Sequence, residues 1–194
     1  CLCLLLISAI PPQGLYAQMS EIVTSAYFDS GNTFRWKNDR IYLLDGRVVL
    51  PAGKTLRIEA GTVIKGKVRP SVDDYSALII APGARLYARG RDTMPIIFTA
   101  ETDEAPANVN LDVSYRGLWG GLYLLGEAPV AGAAAFPAAE AGWPAFGGTQ
   151  PGDNSGVLRY VSIRHGGKRT GGRSLPSLLL GGVGRGTQVD YVEA

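Results

Sequence analysis

The stretch that most constrains this chain is Arg47 to Gly66, RVVLPAGKTLRIEAGTVIKG, because its short apolar groups fit only one kind of element. Val48 with Leu50, Leu56 with Ile58, and Val63 with Ile64 are separated by corners at Pro51-Ala52-Gly53 and Ala60-Gly61. The first two groups alternate with period two, the pattern of a strand with one buried face. Each group is too short for a helix, and Gly53, Gly61 and Gly66 interrupt any helical reading.

The pattern returns. Leu50 through Ile58 aligns with Ile80 through Ala88 at an offset of 30 residues, which sets Pro51-Ala52-Gly53 on Ala81-Pro82-Gly83. Leu158-Arg159-Tyr160-Val161-Ser162 aligns with Val189-Asp190-Tyr191-Val192-Glu193 at an offset of 31. Strands and glycine corners repeating at such periods, with no helical segment between them, predict an all-β solenoid whose coils bury a shared interior by stacking. The expected fold is a parallel β-helix. Twenty-six glycines and only two methionines suit a corner-rich β protein.

The 19 basic and 17 acidic residues are mixed along the chain, so no basic stripe points to nucleic acid and no acidic tail to a charged partner. The opening run CLCLLLISAI, followed by PPQG and Leu15-Tyr16-Ala17-Gln18, has the form of a secretory h-region and cleavage site, so residues 1–17 are expected to be an incomplete signal peptide. The alternative is that Met19 is the true start. The run is too short to span a bilayer as a helix, and no stable membrane span is expected. Both cysteines, Cys1 and Cys3, lie in this leader, which leaves no disulfide or cysteine metal site for the rest.

Residues 18–40 are expected to be a lead-in and cap, a hairpin or irregular strand in which Phe34 and Trp36 cover the first coil. Residues 41–194 are expected to be coils, with polar or irregular loops near 67–76, 101–114 and 128–152. The last of these is Ala/Gly/Pro-rich and carries Phe136, Trp143 and Phe146, which either serve a ligand or fold back on the solenoid wall. The chain stops in what reads as mid-strand, the N-terminal part of a longer protein.

The segments LRIEAGTVIKG, RGLWGGLYLLGEA, DNSGVLRYVSIRHGG and LGGVGRGTQVDYVE together resemble secreted right-handed parallel β-helix proteins, pectate-lyase-like, of Bacteroidetes-type bacteria. The resemblance runs from about Ile41 to the end and implies a right-handed solenoid. Many such proteins carry a C-terminal sorting domain; none is visible here. The resemblance implies a secreted or outer-surface location and carries no settled activity.

For chemistry, His165 is the single histidine, so a Ser-His-Asp triad would have to use it, yet no G-x-S-x-G motif accompanies it. A corner residue bonded to backbone is the plainer reading. Asp73, Asp74, Asp103, Glu104 and Asp112 could offer oxygen ligands to calcium, although their spacing does not match an EF-hand and no metal residues or other cofactor are assigned. Arg159, Arg164, Lys168, Arg169 and Arg173 form a basic group around His165 that could receive an acidic extracellular polysaccharide; solvated charges that block edge pairing are the alternative. The ligand-binding candidates are Arg159, Arg164, His165 and Trp143, with no catalytic residue assigned. The leading expectation is a structural or adhesive module, gripping a glycan along its side, and the competing one is a polysaccharide lyase or glycoside hydrolase acting in the solenoid groove.

Overall fold

The computed structural model describes residues 19–71, 73–105, 111–112, 114–131, 143–170 and 173–194; the leader expected at 1–17 lies outside them. The chain is almost wholly β. Its strands are β1 (Ser20–Val23), β2 (Thr33–Trp36), β3 (Ile41–Leu44), β4 (Arg47–Leu50), β5 (Thr55–Ile58), β6 (Val63–Gly66), β7 (Ala77–Ile80) and β8 (Arg85–Arg89). There follow β9 (Ile96–Ala100), β10 (Gly121–Leu125), β11 (Gly156–Ile163), the small hairpin β12 (Arg169–Thr170) and β13 (Arg173–Ser174), β14 (Leu178–Gly181) and β15 (Gln188–Glu193).

Among the described residues every strand pairing apart from the small hairpin is parallel, and the strands stack into three walls of a parallel β-helix. One wall runs β2-β5-β8-β11, a second β1-β3-β6-β9-β11, and a third β4-β7-β10-β14. The first two walls join because β11 spans both: Gly156 to Arg159 pairs with β8, Val161 to Ile163 pairs with β9, and β15 lies along β11. The bend falls at Tyr160 (φ 50°) and is repeated at Tyr191 (φ 53°), left-handed backbone that turns the chain without breaking the strand.

The registers read from the repeats are the observed ones. Leu50 pairs with Ile80, Leu56 with Leu86 and Arg57 with Tyr87, and Leu158 with Val189 and Val161 with Val192. The coil length differs from the expected period. Ile41 stacks on Val63 and Thr33 on Thr55, an offset of 22, and the offset becomes 30 from Arg47 on Ala77 onward to Thr55 on Arg85, because the segment between β6 and β7 is longer. The repeat at 30 is therefore a bare coil plus an insertion. Residues 20–36 are not a hairpin: β1 and β2 pair in parallel with β3 and β5 and make a coil of their own.

Alternation puts Leu56, Ile58, Leu78, Ile80, Leu86, Phe98, Leu122, Leu124 and Leu158 in one continuous interior, each no more than 4% exposed. At the N-terminal end a short 3-10 turn (Ser25–Phe28) brings Phe28 against Phe34 (4.9 Å between ring centroids), while Trp36 stacks on Tyr42 (4.6 Å). These rings form an aromatic layer packed into the core beside β1 and β2. Above it, Trp119 lies over Gly66, where an added Cβ would meet the indole at 2.7 Å. Its partner is thus a glycine one coil below rather than the glycines beside it in sequence. The Trp119 Nε1–H donates to the Arg164 carbonyl (2.8 Å), which ties two inserted corners together.

Candidate functional site

The wall β2-β5-β8-β11 presents its polar face to solvent. Because side chains alternate, Leu56, Ile58, Leu86, Ala88 and Leu158 point inward and Arg35, Arg57, Arg85, Arg89 and Arg159 point out and are exposed. Register sets Arg35 beside Arg57, Arg57 beside Tyr87, and Arg89 beside Arg159. The guanidinium of Arg57 lies over the Tyr87 ring at 4.6 Å, and that of Arg89 at 5.6 Å from the same centroid. Arg159 sits over Tyr160 (5.4 Å) and Tyr191 (5.9 Å), which stack on each other at 4.6 Å with their planes 3° apart. Arg35 pairs with Glu59 (3.7 Å), and Asp190 stands opposite Arg159 in the ladder. Among the described residues, Arg57, Arg85, Arg89 and Arg159 make no ion pair with a carboxylate.

Edge protection does not account for these charges. β5, β8 and β11 each have a neighbour on both sides, so their arginines guard no open edge. Like charges directly opposite on adjacent strands oppose sheet formation, and this wall carries two such pairs, Arg35 with Arg57 and Arg89 with Arg159.

Arg164 and His165 lie elsewhere. The bend at Tyr160 separates Arg159 from Arg164, which follows the β9-paired half of β11; its Nε donates to the Ser162 hydroxyl (2.8 Å), which in turn donates to Glu193. His165 occupies the next corner in left-handed backbone (φ 58°), with its side chain 5% exposed. Its Nδ1 lies 2.7 Å from the Tyr115 carbonyl, so Nδ1 carries the proton, and Nε2 lies 4.0 Å from Asp103 Oδ2. Asp103 is buried and accepts from the Thr99 hydroxyl (2.7 Å) and the Leu111 N–H (3.2 Å). Burial pushes its pKa up, but those donors, the His165 ring and the Ala105 N–H outweigh it and hold the carboxyl below its ordinary value. Burial also pushes the Lys65 ammonium down, where it donates to the Asp103 carbonyl. A cleft of about 580 Å³ opens beside this corner, lined by Arg116, Arg164, His165, Ser177 and Glu193.

Trp143 belongs to a third place. On the outer face of the β4-β7-β10-β14 wall, Tyr75, Ala77, Ile79, Tyr123, Leu125 and Leu179 form a second apolar cluster, and Trp143 and Phe146 pack over it. The Trp143 ring lies 4.6 Å from that of Tyr123 and its Nε1–H donates to the Tyr75 hydroxyl (2.8 Å). Packing and this bond account for Trp143 without a ligand. Lys168 reaches back to the Arg69 carbonyl (3.5 Å), while the side chains of Arg169 and Arg173 lie outside the described residues.

The candidates of the sequence therefore fall on three faces; Arg159 lies on the wall that gathers Arg57, Tyr87 and Arg89, three residues that were not among the candidates. A signal existed: the offset of 30 aligns Arg57 with Tyr87, and alternation puts Arg89 on the same side. The carboxylates considered for calcium are dispersed. Asp74 meets Arg69 (3.3 Å), Asp112 accepts from the Ser114 N–H (2.8 Å), and among the described residues no group of three or more metal-type ligands converges. Also among the described residues, no helix is long and apolar enough to cross a membrane.

In comparisons with known proteins, no curated protein and no solved structure matches this chain. A family model described as a pectate-lyase-like β-helix domain matches residues 29–194, which takes in all three walls from β2 onward. With parallel strands stacked into those walls and an interior filled by alternating apolar side chains, the chain belongs to the pectate-lyase-like β-helix family.

Proposed function

We propose that this chain is a carbohydrate-binding β-helix module of an exported protein, adhesive or structural rather than catalytic, which grips an extended glycan along one wall. The observation that carries the reading is the exposed face of β5, β8 and β11, where guanidinium groups lie over tyrosine rings on strands that have no edge to protect. A rigid solenoid wall suits this role, since binding along it requires little loop ordering, a major cost of association.

A lyase or hydrolase acting at the His165 corner is the second reading, favoured by the cleft that Arg164, His165 and Glu193 share. Against it, His165 Nδ1, Asp103 and Glu193 already have partners within the protein. The deciding experiment is a screen of the full chain on acidic and neutral polysaccharides, reading binding, unsaturated products and new reducing ends together. Binding without product is the expected result. Turnover abolished by His165→Ala or Glu193→Gln in a protein that still melts cooperatively would replace this reading with the enzymatic one.

A further inference from the structure

We infer that Tyr160 and Tyr191 form an oxidative cross-linking site, at which a peroxide-driven one-electron oxidant of the haem peroxidase class joins the two rings as dityrosine and ties successive coils covalently. This site is independent of the binding reading above. Both residues occupy the same bend on neighbouring coils, 31 residues apart in the chain, in left-handed backbone (φ 50° and 53°). The ladder pairs on either side, Arg159 with Asp190 and Val161 with Val192, hold them one strand spacing apart, about 4.8 Å. The phenol rings follow the backbone, with 4.6 Å between centroids and planes 3° apart. Equivalent backbone and parallel rings set the carbons ortho to the two hydroxyls side by side.

The pair stands apart from the other described tyrosines. Tyr42, Tyr75 and Tyr123 are buried, Tyr27 packs against Phe28, Phe34 and Trp36, and Tyr115, 55% exposed, meets no other ring among the described residues. Tyr191 is 68% exposed and Tyr160 half-buried, so an oxidant reaches them. A cleft of about 280 Å³ opens along the pair, lined by Pro95, Tyr160, Ser162, Tyr191 and Glu193, and gives the rings room to hinge edge to edge. Loss of one electron and one proton from each hydroxyl leaves two phenoxyl radicals whose spin extends to the ortho carbons. Those carbons couple through one new C–C bond, and each then gives up its hydrogen, which restores a hydroxyl to each ring. In sum two C–H bonds break, and two electrons and two protons leave to turn one hydrogen peroxide into two waters. The link closes a 31-residue loop where, among the described residues, β15 has only β11 beside it, and it constrains the unfolded chain as a disulfide does. Cysteine cannot serve here, since Cys1 and Cys3 are the only two in the chain.

The test treats the dilute full chain with a haem peroxidase and hydrogen peroxide and reads dityrosine fluorescence, the intact mass of the monomer and its tryptic map. The expected product is a monomer lighter by two hydrogens, in which the peptide Tyr160–Arg164 is joined to the one that begins at Gly186, at a yield unchanged by dilution. Tyr160→Phe or Tyr191→Phe keeps a ring in the stack and removes the oxidisable hydroxyl, so each should abolish this product, whereas Tyr115→Phe should leave its yield whole. The linked monomer should melt a few degrees above Tyr191→Phe carried through the same treatment. Dityrosine that forms only between molecules and falls with dilution, or that persists in Tyr191→Phe, overturns the site. So does a pair left unlinked under conditions that oxidise Tyr115. A linked monomer that melts no higher than the untreated chain overturns the role of the pair as a tie between coils.

Discussion

Asp103 is the residue through which the inserted corners hold together. Its carboxylate is buried, bonded to Thr99 and Leu111, and faces His165, so three chain segments meet on one side chain. Asp103→Asn keeps the shape but loses charge-assisted acceptance, and is expected to cost about 1–3 kcal/mol. The pH dependence has a definite sign. A carboxyl held below its ordinary value of 3.8 adds stability that is present above that value and lost as pH falls through the folded pKa. Urea midpoints of the parent and Asp103→Asn, compared from pH 6 to pH 3, should therefore converge in acid; a gap that stays constant would mean that the charge contributes nothing. Why the sequence hid this pair is plain. Asp103 and His165 are far apart along the chain and lie on corners of variable length, so no spacing rule connects them. Conversely, Arg159, Arg164 and His165 are close in sequence, and a single left-handed residue between them sends Arg159 to one wall and the other two to another.

That residue, Tyr160, sets the behaviour of the element it sits in. β11 serves two walls only because Tyr160 turns at φ 50°, and β15 does the same at Tyr191. Left-handed backbone costs a side-chain-bearing residue about 1–2 kcal/mol. The Tyr160–Tyr191 stack, at 4.6 Å, returns about 0.5–1.5 kcal/mol. The two nearly cancel, so Tyr160→Gly is expected to move stability by no more than about 1 kcal/mol, while Tyr160→Val, β-branched and without a ring, combines worse strain with loss of the stack. Thermal midpoints in the order parent near Gly, with Val well below, would bear this out; Val melting with the parent would mean that the bend tolerates any residue. The alignment of the two Tyr-Val pairs made this register legible in advance. The bare coil of 22 was not legible, because the corners of the first coils share no chemistry with later ones. Pro51-Ala52-Gly53 and Ala81-Pro82-Gly83 are alike and stack, Gly53 N–H donating to the Gly83 carbonyl (3.0 Å), so the sequence displays the spacing of similar corners rather than the spacing of coils.

At the scale of the molecule, the described strands differ in how many neighbours they have. Interior strands such as β8 are paired on both sides and bury Leu86 and Ala88 completely. Among the described residues β15 pairs only with β11, and none of its six residues is buried. Around β1 to β3, by contrast, Phe28, Trp36 and Tyr42 are packed with none more than 2% exposed. In a solenoid each coil is stabilised chiefly by its neighbours, so opening should begin where neighbours and apolar cover are fewest. In the chain of residues 1–194 taken by itself, amide exchange followed residue by residue should therefore find β15 exchanging first, β11 next, and β5, β8 and β9 last and together. Low denaturant should accelerate β15 alone. Exchange of β15 and β8 at one common rate would mean that the stack opens only as a unit. The arginine wall should then be no more rigid at its centre, where Arg57, Tyr87 and Arg89 meet, than beside β15. If the gradient is present, the centre of the wall stays fixed while Arg159, ordered in part by Tyr191, loosens with β15, and glycan binding should slow exchange at β11 and β15 more than at β5.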